Sequence, residues 1–491
     1  MKHVKQLLSA LLVLAVVLSL LPAGVLKASA AEALAALDIG YPTFKNTELL
    51  DEVYDLSKLG VSYSEKDIMM AIYKQDLANG GDSFYMDRIL AREGVCNGNA
   101  GSNGNADGNT FLTRGRALYM YTSSPSVIGF GGNTAYHQPL GRGDLVRVLF
   151  SNADGSLTTK EDTSKRVNAP SNWSSTYSVG SNLTLDVVKF IHQENVAVTT
   201  MTLTNKSAED QAITVAADSI FATEPGKVTV NGAEQTELTG TCSSPAGLTT
   251  IYARMTGDGF EAASSDDYCW LSRDVTVPAG GSVELKVVIA FTTEEIPEST
   301  EQYLRFAGLG NLEAVRAQKA EYNLYWAENL PYIDVPKKAV QKAIDYRWWL
   351  ERFNSLDANI PGYDYQYPVT IEGVLGYNNA IILTQPMHLQ DTKWLRSPYL
   401  AYGQLLSAGN SSQSSAFLDN PGNRNNWNNH YGQYLAEAGY EAFNVIGGGA
   451  EVAENFAYYF GHDATGQLEH YGNHIEGRDL IAYRNNYMTG N

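Results

Sequence analysis

Apolar residues alternate with polar or small ones along several stretches between residues 31 and 310. This is the period of a half-buried strand, and its clearest instance contains Val283, Leu285, Val287, Ile289 and Phe291. Residues 195–204, 212–216 and 249–254 are further strand-like runs. The turn dipeptides Asn231-Gly232 and Asp258-Gly259 separate such runs. The pattern therefore predicts an antiparallel β-sandwich domain over residues 31–310.

The hydrophobic period changes to a helical one at Asn311, a residue suited to cap a helix. A linker helix is predicted within 311–335, reaching about Ala327, with one apolar face made of Leu312, Val315, Tyr322 and Trp326. A second helix is predicted from Pro336, and its apolar stripe contains Val340, Ile344 and Trp348.

Further helical stretches are predicted at 379–389, 399–406, 432–445 and 451–460, with a Gly447-Gly448-Gly449 turn between the last two. Residues 336–491 therefore form a run of helical hairpins. The predicted class is an α+β multidomain protein in which a β-sandwich precedes a helical domain.

The first 30 residues have the features of a secretory signal peptide. A basic start precedes an apolar run from Leu7 to Leu21, and Ala28-Ser29-Ala30 offers a small-residue cleavage site. The apolar run is short for a membrane span, although a retained anchor is the alternative. We expect a secreted or extracellular mature chain that does not span a membrane.

The chain is acidic, with a formal net charge of −19, which becomes −22 when the three lysines of the signal peptide are removed. This charge argues against nucleic acid or anionic lipid as a partner. Three cysteines exclude a disulfide scaffold. Cys242 and Cys269 lie in the same β-rich region, where they either pair or remain two buried thiols.

Sequence signatures of metal and cofactor chemistry are weak. The Asn- and Gly-rich run 96–111 contains hard oxygen ligands such as Asp107, but it lacks EF-hand spacing and favours a surface loop over a calcium site. The chain has no nucleophile elbow, Walker loop, His-Glu-x-x-His pair or dinucleotide fingerprint. We predict no metal and no cofactor.

Aromatics, carboxylates and amides crowd together in residues 345–396, as in a sugar-binding cleft. Glu372 is one catalytic candidate, because Gly373 and Gly376 surround it ahead of a helix, with helix capping as the alternative. Tyr377 and Asn378 follow it as predicted substrate contacts. Asp391 is the second catalytic candidate, as an acid beside Trp394, or else a salt-bridged residue near Lys393 and Arg396. Arg347 and Glu351, four apart, are expected to pair with each other.

The loop 419–430 also mixes amides with a large aromatic. Trp427 is predicted to stack on a sugar ring, while hydroxyl groups are bound by Arg424, Asn428 and His430. A polar connector is the alternative, since Asn and Gly favour turns.

The order of these domains, with helices that open on Tyr-Arg-Trp-Trp-Leu-Glu-Arg-Phe at 346–353, resembles bacterial glycoside hydrolases with a six-hairpin (α/α)6 toroid. The mannosylglycerate hydrolase, trehalase and processing-glucosidase-like families are similar. The resemblance implies a toroid of about twelve helices, which needs well over ~300 residues. Only 155 residues follow Pro336, so we expect a partial toroid in a C-terminally truncated chain. Asn491 lies in a segment that resembles the substrate-binding loop before the general acid in these families.

The resemblance implies an exported glycoside hydrolase that acts on an oligosaccharide, polysaccharide or other glycoside with two carboxyl groups. In the expected fragment, one or both of these carboxyls are missing. A non-catalytic carbohydrate-binding or cell-surface protein is the alternative from another class. A polysaccharide lyase is a third reading, since lyases can use a helical toroid with Tyr, His and Arg.

Overall fold

The protein is described by a computed structural model, and all of the described residues belong to one compact unit, Asn46–Asn491. The structure describes residues 118–121, 128–134, 144–168, 171–219, 228–230, 236–243, 250–265, 268–292, 298–329, 336–337, 340, 344, 347–348, 351–352, 355–356, 368–370, 384–395, 398, 400–405, 417–418, 428–429 and 435–447. The predicted signal peptide, the 96–111 loop, the Asn231-Gly232 turn and the 451–460 helix lie outside these residues.

Fifteen strands of the described residues form two large sheets. In chain order they are β1 (Leu118–Tyr121), β2 (Ile128–Thr134), β3 (Asp144–Asn152), β4 (Gly155–Ser156), β5 (Thr159–Asn168), β6 (Trp173–Val179), β7 (Leu183–His192), β8 (Val196–Asn205), β9 (Gln211–Ser219), β10 (Val228–Val230), β11 (Glu237–Ser243), β12 (Thr250–Gly257), β13 (Glu261–Ser265), β14 (Tyr268–Val277) and β15 (Ser282–Thr292).

One sheet has the order β1-β2-β3-β9-β14-β13, with β4 paired to β3, and the other has the order β10-β11-β12-β15-β8-β7-β6-β5. Neighbouring strands run antiparallel, as in the β12–β15 and β15–β8 pairs. The sheets share one apolar core, to which both contribute large side chains such as Phe130, Trp173, Tyr177 and Phe260. Cys269 on β14 is a free thiol, and Cys242 lies on β11 of the other sheet.

Strand β15 shows how the alternating pattern is used. Leu285, Val287, Ile289 and Phe291 are buried in the core between the sheets, as the period of two predicts. The intervening Val288 and Ala290 are buried too, because helices cover the outer face of this sheet. A strand with two covered faces loses its polar alternation, as β15 does over its last residues.

The covering helices are α1 (Glu298–Gly308) and α2 (Asn311–Asn329). Helix α1 falls inside the range that was predicted to be purely β. Helix α2 lies where the helical period begins, and its predicted apolar face is confirmed in part: Tyr322 is buried and Val315 packs against the sheet, but Leu312 is 59% exposed. The face that packs on the sheet also carries Ala314 and Ala317, since small residues let the helix approach the strands closely. The side-chain nitrogen of Asn311, Nδ2, donates to the main-chain oxygens of Met201 (3.1 Å) and Leu285 (3.2 Å), and these bonds connect α2 to the sheet.

The region after α2 is mainly helical in its described parts. It contains helical positions within 340–352, α3 (Gln385–Thr392), helical residues 400–405 and α4 (Leu435–Ile446). Two short pairs interrupt it, β16 (Ser355–Leu356) with β17 (Val369–Thr370) and β18 (Phe417–Leu418) with β19 (Asn428–Asn429).

A second apolar cluster joins these helices through Leu389, Ala401, Leu405, Leu435, Ala438 and Ala442. The chain is thus an α+β protein dominated by antiparallel sheets. The toroid and the domain limits 31–310, 311–335 and 336–491 stay predictions. None of the helices in the described part of the chain is long and apolar enough to cross a membrane.

Candidate functional site

Two helical segments of the C-terminal region face each other through polar side chains. Arg347 is paired with Asp391, and Glu351 is paired with His388. The earlier residue of one segment meets the later residue of the other, so the segments run antiparallel. The predicted Arg347–Glu351 pair is wrong, because each residue takes its partner from α3. We call the following residues the α3 polar cluster: Arg347, Glu351, Thr370, Gln385, His388 and Asp391.

Glu351 is the buried centre of this cluster, with 8% of its surface exposed. Its Oε2 accepts a hydrogen bond from the Thr370 hydroxyl (3.2 Å), and its Oε1 lies 3.0 Å from His388 Nδ1. Gln385 Nε2 donates to the main-chain oxygen of Thr370 (3.0 Å), which connects β17 to α3. The carboxylate is therefore held between a strand and a helix by two polar side chains, Thr370 and His388, while Gln385 fixes the strand against the helix.

The contact with Glu351 assigns the proton on His388. An ionised carboxylate only accepts hydrogen bonds, so His388 Nδ1 must carry the hydrogen. In the neutral imidazole, Nε2 then presents a lone pair. Nε2 is buried and meets no hydrogen-bond partner among the described residues. The pair consequently offers a buried basic nitrogen whose orientation is fixed from the other side.

Asp391 and Arg347 form the exposed end of the cluster. Their side chains are ion-paired, with Asp391 24% and Arg347 65% exposed. The hydrogen bond with Asp391, aided by the charge of Glu351 and opposed by partial burial, raises the pKa of Arg347. Trp394, three residues beyond Asp391, is 53% exposed. A large aromatic face, a guanidinium and a carboxylate thus lie at the same end of α3.

The helical residues 400–405 and helix α4 pack next to the α3 polar cluster. Gly403 lies so close to Pro368 that a Cβ at position 403 would sit 2.4 Å from the proline ring and 2.6 Å from its main-chain oxygen. Gln404 Nε2 donates to the Thr392 hydroxyl (3.2 Å). Glu441 of α4 accepts from Lys393 (2.8 Å), a contact that lowers the pKa of the Glu441 carboxyl.

Arg352 links the cluster to α2. Its guanidinium lies 3.9 Å from the ring centroid of Tyr322 and 4.0 Å from that of Tyr325, and it donates to the Tyr322 main-chain oxygen (2.8 Å). Burial lowers the pKa of Arg352 and raises that of Tyr325. These contacts fix the segment that carries Glu351 against the linker helix.

The structure describes only part of the predicted site. Asp391 lies in the α3 polar cluster, paired as in the salt-bridged alternative. Asn428 is described by its backbone alone, which pairs with Leu418 across β18 and β19. The other predicted site residues lie outside the described residues: Glu372, Tyr377, Asn378, Arg424, Trp427, His430 and Asn491.

Sequence reasoning missed Glu351 and His388. The spacing of His388 and Asp391, three apart on a helix, was the available signal, because residues at this spacing share a helical face. Within the described ranges, no group of three His, Cys, Asp or Glu side chains is placed to hold a metal ion.

No protein-family model matches the chain. Among solved structures, it is similar to a family GH92 inverting mannosidase from Bacteroides thetaiotaomicron VPI-5482, at 15% identity and a TM-score of 0.41, over 70% of this chain and 50% of that one. A family GH92 alpha-mannosidase from Bacteroides thetaiotaomicron is 12% identical with a TM-score of 0.43, over 74% of this chain and 55% of that one. A human-microbiome protein described as a kojibiose phosphorylase is 10% identical with a TM-score of 0.40, over 56% of this chain and 41% of that one.

The chain therefore spans about half the length of the structures it matches. None of these three carries the name of the families that residues 346–353 resemble, so that resemblance stays a prediction.

Proposed function

We propose that this protein is an exported carbohydrate-active enzyme of the glycoside hydrolase class. The observation that carries the proposal is the half-exposed Trp394 at the same end of α3 as the Asp391–Arg347 pair. An exposed indole gives a flat apolar surface for a sugar ring, while the guanidinium and the carboxylate suit its hydroxyls. The acidic net charge of −19 is compatible with an uncharged glycan.

Hydrolysis of a glycosidic bond requires two carboxyl groups across that bond. Among the carboxylates that this chain carries, we propose Asp391 as one of them and Glu372, two positions after the described Thr370, as the other, as an alternative to the expectation that one or both are missing. A guanidinium presents only donors, so Asp391 is used as an acceptor in the pair. An accepting carboxylate suits the role of base or nucleophile better than the role of acid, which the sequence had suggested for Asp391. We therefore propose Glu372 as the acid.

The remaining predicted contacts complete the proposal. Tyr377 and Asn378 follow Glu372 in sequence. Arg424 and Trp427 lie in sequence between β18 and β19, Asn428 is on β19, His430 follows β19, and Asn491 lies in the last predicted segment. We propose that they line the same cleft in a helical toroid. Cleavage after Ala30 would release the mature chain outside the cell.

The test is product analysis with the purified 491-residue chain. We would incubate it with gluco-, manno- and galacto-configured disaccharides and polysaccharides, and measure new reducing ends, absorbance of unsaturated uronides and binding by calorimetry. Release of reducing ends without that absorbance is the expected result. Asp391→Asn should lower turnover about 10²- to 10⁴-fold.

The matched control is Glu441→Gln, which changes another carboxylate paired with a cation near α3. It should leave turnover unchanged within about twofold, since exposed pairs contribute little. Unsaturated products would favour the lyase, and binding without any product would favour a carbohydrate-binding protein. If none of these sugars is bound or cleaved, the proposal is wrong.

A further inference from the structure

Two buried acceptors lie one helical turn apart on α3. His388 Nε2 and Gln385 Oε1 have almost no exposed surface, and neither meets a hydrogen-bond partner among the described residues. Gln385 as a whole is only 3% exposed. Residues three apart on a helix are neighbours, with Cβ atoms about 5–6 Å apart. A buried acceptor without a donor costs free energy, so we expect His388 Nε2 and Gln385 Oε1 each to accept a hydrogen bond from a group outside the described residues.

Both side chains are held by their other polar atom. His388 Nδ1 contacts Glu351, and Gln385 Nε2 donates to the Thr370 main-chain oxygen. Thr370 in turn donates its hydroxyl to Glu351. Neither the imidazole nor the amide can rotate to exchange its free atom for a donor without breaking one of these contacts. The two acceptors are thus fixed in orientation before any ligand arrives.

We propose that His388 Nε2 and Gln385 Oε1 form a two-acceptor subsite that binds a pair of neighbouring hydroxyl groups of a sugar. The ligand class rests on the proposed function, whereas the demand for two donors rests on the geometry alone. Each hydroxyl donates one hydrogen bond, one to the imidazole nitrogen and one to the amide oxygen. Glu351 acts as a positioning residue, because it keeps the hydrogen on Nδ1 and the lone pair on Nε2.

A second carboxylate-paired histidine among the described residues, His192, supplies an internal control. Nδ1 of His192 accepts a hydrogen bond from the Glu194 main-chain N–H (3.2 Å), so its hydrogen is on Nε2, 2.8 Å from Glu321 Oε2. Both ring nitrogens of His192 are used within the protein. His192 and His388 should therefore be opposite tautomers, and only His388 should respond to a ligand.

The first measurement is nitrogen NMR of the full chain labelled at its histidines, with assignments from His192→Gln and His388→Gln. At neutral pH and without sugar, His388 should carry its hydrogen on Nδ1 and His192 on Nε2. Disaccharides of the panel that bind should shift the His388 Nε2 resonance and leave His192 unchanged. A His388 with its hydrogen on Nε2 in the sugar-free protein would overturn the subsite whatever the sugar does.

The second measurement uses two variants that each keep one half of the imidazole. Asn at position 388 can retain a donor toward Glu351 but removes the Nε2 acceptor, whereas Gln can retain an acceptor near the Nε2 position. His388→Asn should weaken disaccharide binding roughly three- to tenfold, the equivalent of one hydrogen bond, and His388→Gln should weaken it less. His192→Asn should bind like the wild type. Melting curves of all three variants check that they fold.

The outcomes separate this inference from the proposed function. If sugar is bound or cleaved while the His388 signal and the affinity of His388→Asn stay unchanged, the subsite is wrong and the enzyme class stands. A His388 Nε2 signal that already shows a hydrogen bond without sugar, and does not move with it, would mean that a donor of the chain itself fills the site. Failure of every sugar to bind or react would overturn the enzyme class and the sugar assignment together.

Discussion

The described residues include two histidine–glutamate pairs that use the same chemical groups in opposite ways. His192, at the end of β7, meets Glu321 of α2, which also binds Arg305 of α1. His388, on α3, meets Glu351 of the facing segment. In the first pair both imidazole nitrogens are bonded within the protein. In the second, Nε2 is left without a partner in the described part of the chain.

Local backbone geometry explains the difference. His192 lies at a tight β7–β8 turn in which Asn195 adopts a left-handed φ of 61°, and this turn brings the Glu194 N–H to Nδ1. His388 lies within α3, where its own N–H donates to the Thr384 main-chain oxygen; among the described residues no main-chain donor reaches His388 Nδ1, and the Glu351 carboxylate takes that position. The lesson is that the element carrying a histidine decides which nitrogen stays available.

The largest expected effect on stability comes from removing the packing around the His192–Glu321 pair, in which both imidazole nitrogens are bonded. Phe306 is fully buried, with its ring centroid 5.4 Å from that of Phe190 and 5.1 Å from that of His192. Phe306→Ala should lower the free energy of unfolding by about 3–5 kcal/mol, measured by urea denaturation. Leu304→Ala, at a 56% exposed position of the same helix, should cost no more than about 0.5 kcal/mol. An equal decrease in the free energy of unfolding of the two variants would contradict tight packing of Phe306 against His192.

A smaller loss of stability is expected when the His388–Glu351 pair loses its carboxylate. Glu351→Ala leaves the Thr370 hydroxyl and His388 Nδ1 without their acceptor, so the free energy of unfolding should fall by about 1–3 kcal/mol. Glu441→Ala removes a carboxylate that is 39% exposed and should cost at most about 1 kcal/mol. Histidine NMR of Glu351→Ala should also show loss of the fixed Nδ1–H form. An unchanged tautomer would mean that another group orients His388.

The smallest expected effect is the loss, in acid, of the stability that the His192–Glu321 pair contributes. Burial alone would raise the pKa of Glu321, but hydrogen bonds from His192 and Arg305 outweigh it and lower the pKa to about 2, from an ordinary 4.5. A depressed carboxyl pKa adds stability above the unfolded value and loses it as the pH falls. The carboxylate is 37% exposed, so water screening leaves about 1 kcal/mol.

The stability difference between the wild type and Glu321→Gln should therefore be present above pH 4.5 and disappear as the pH falls toward 2. Chemical denaturation at several pH values measures it. A difference that stays constant across this window would show that Glu321 does not titrate with folding.

The strands of the sandwich were largely predictable, and the helices that cover it were less so. Strand β15 follows from alternation alone, because Leu285, Val287 and Ile289 point into one core. The face of α2 was predictable only in part from apolar residues, since Val315 and Tyr322 are covered as predicted but Leu312 is exposed and small alanines also make the contact. Close helix–sheet packing selects small side chains, which a hydrophobic period does not distinguish from solvent-facing ones.

The candidate site was predictable only in part, because its pairs join distant residues. Asp391 could be singled out from its neighbours Lys393 and Trp394. Glu351 meets His388 across 37 positions of sequence, so a local rule assigned it to Arg347 four residues away. Helical spacing indicates which residues share a face, whereas the choice of partner depends on which second helix packs there.

Position 403 illustrates how a site can constrain residues that never touch a ligand. Replacing a helical glycine with alanine normally stabilises a protein, because it reduces the freedom of the unfolded chain. At Gly403 the added methyl group would collide with Pro368 and push away the strand that presents Thr370 to Glu351. A ranking by helix propensity alone would therefore favour alanine at residue 403, although the collision should both destabilise the fold and displace the strand beside the α3 polar cluster.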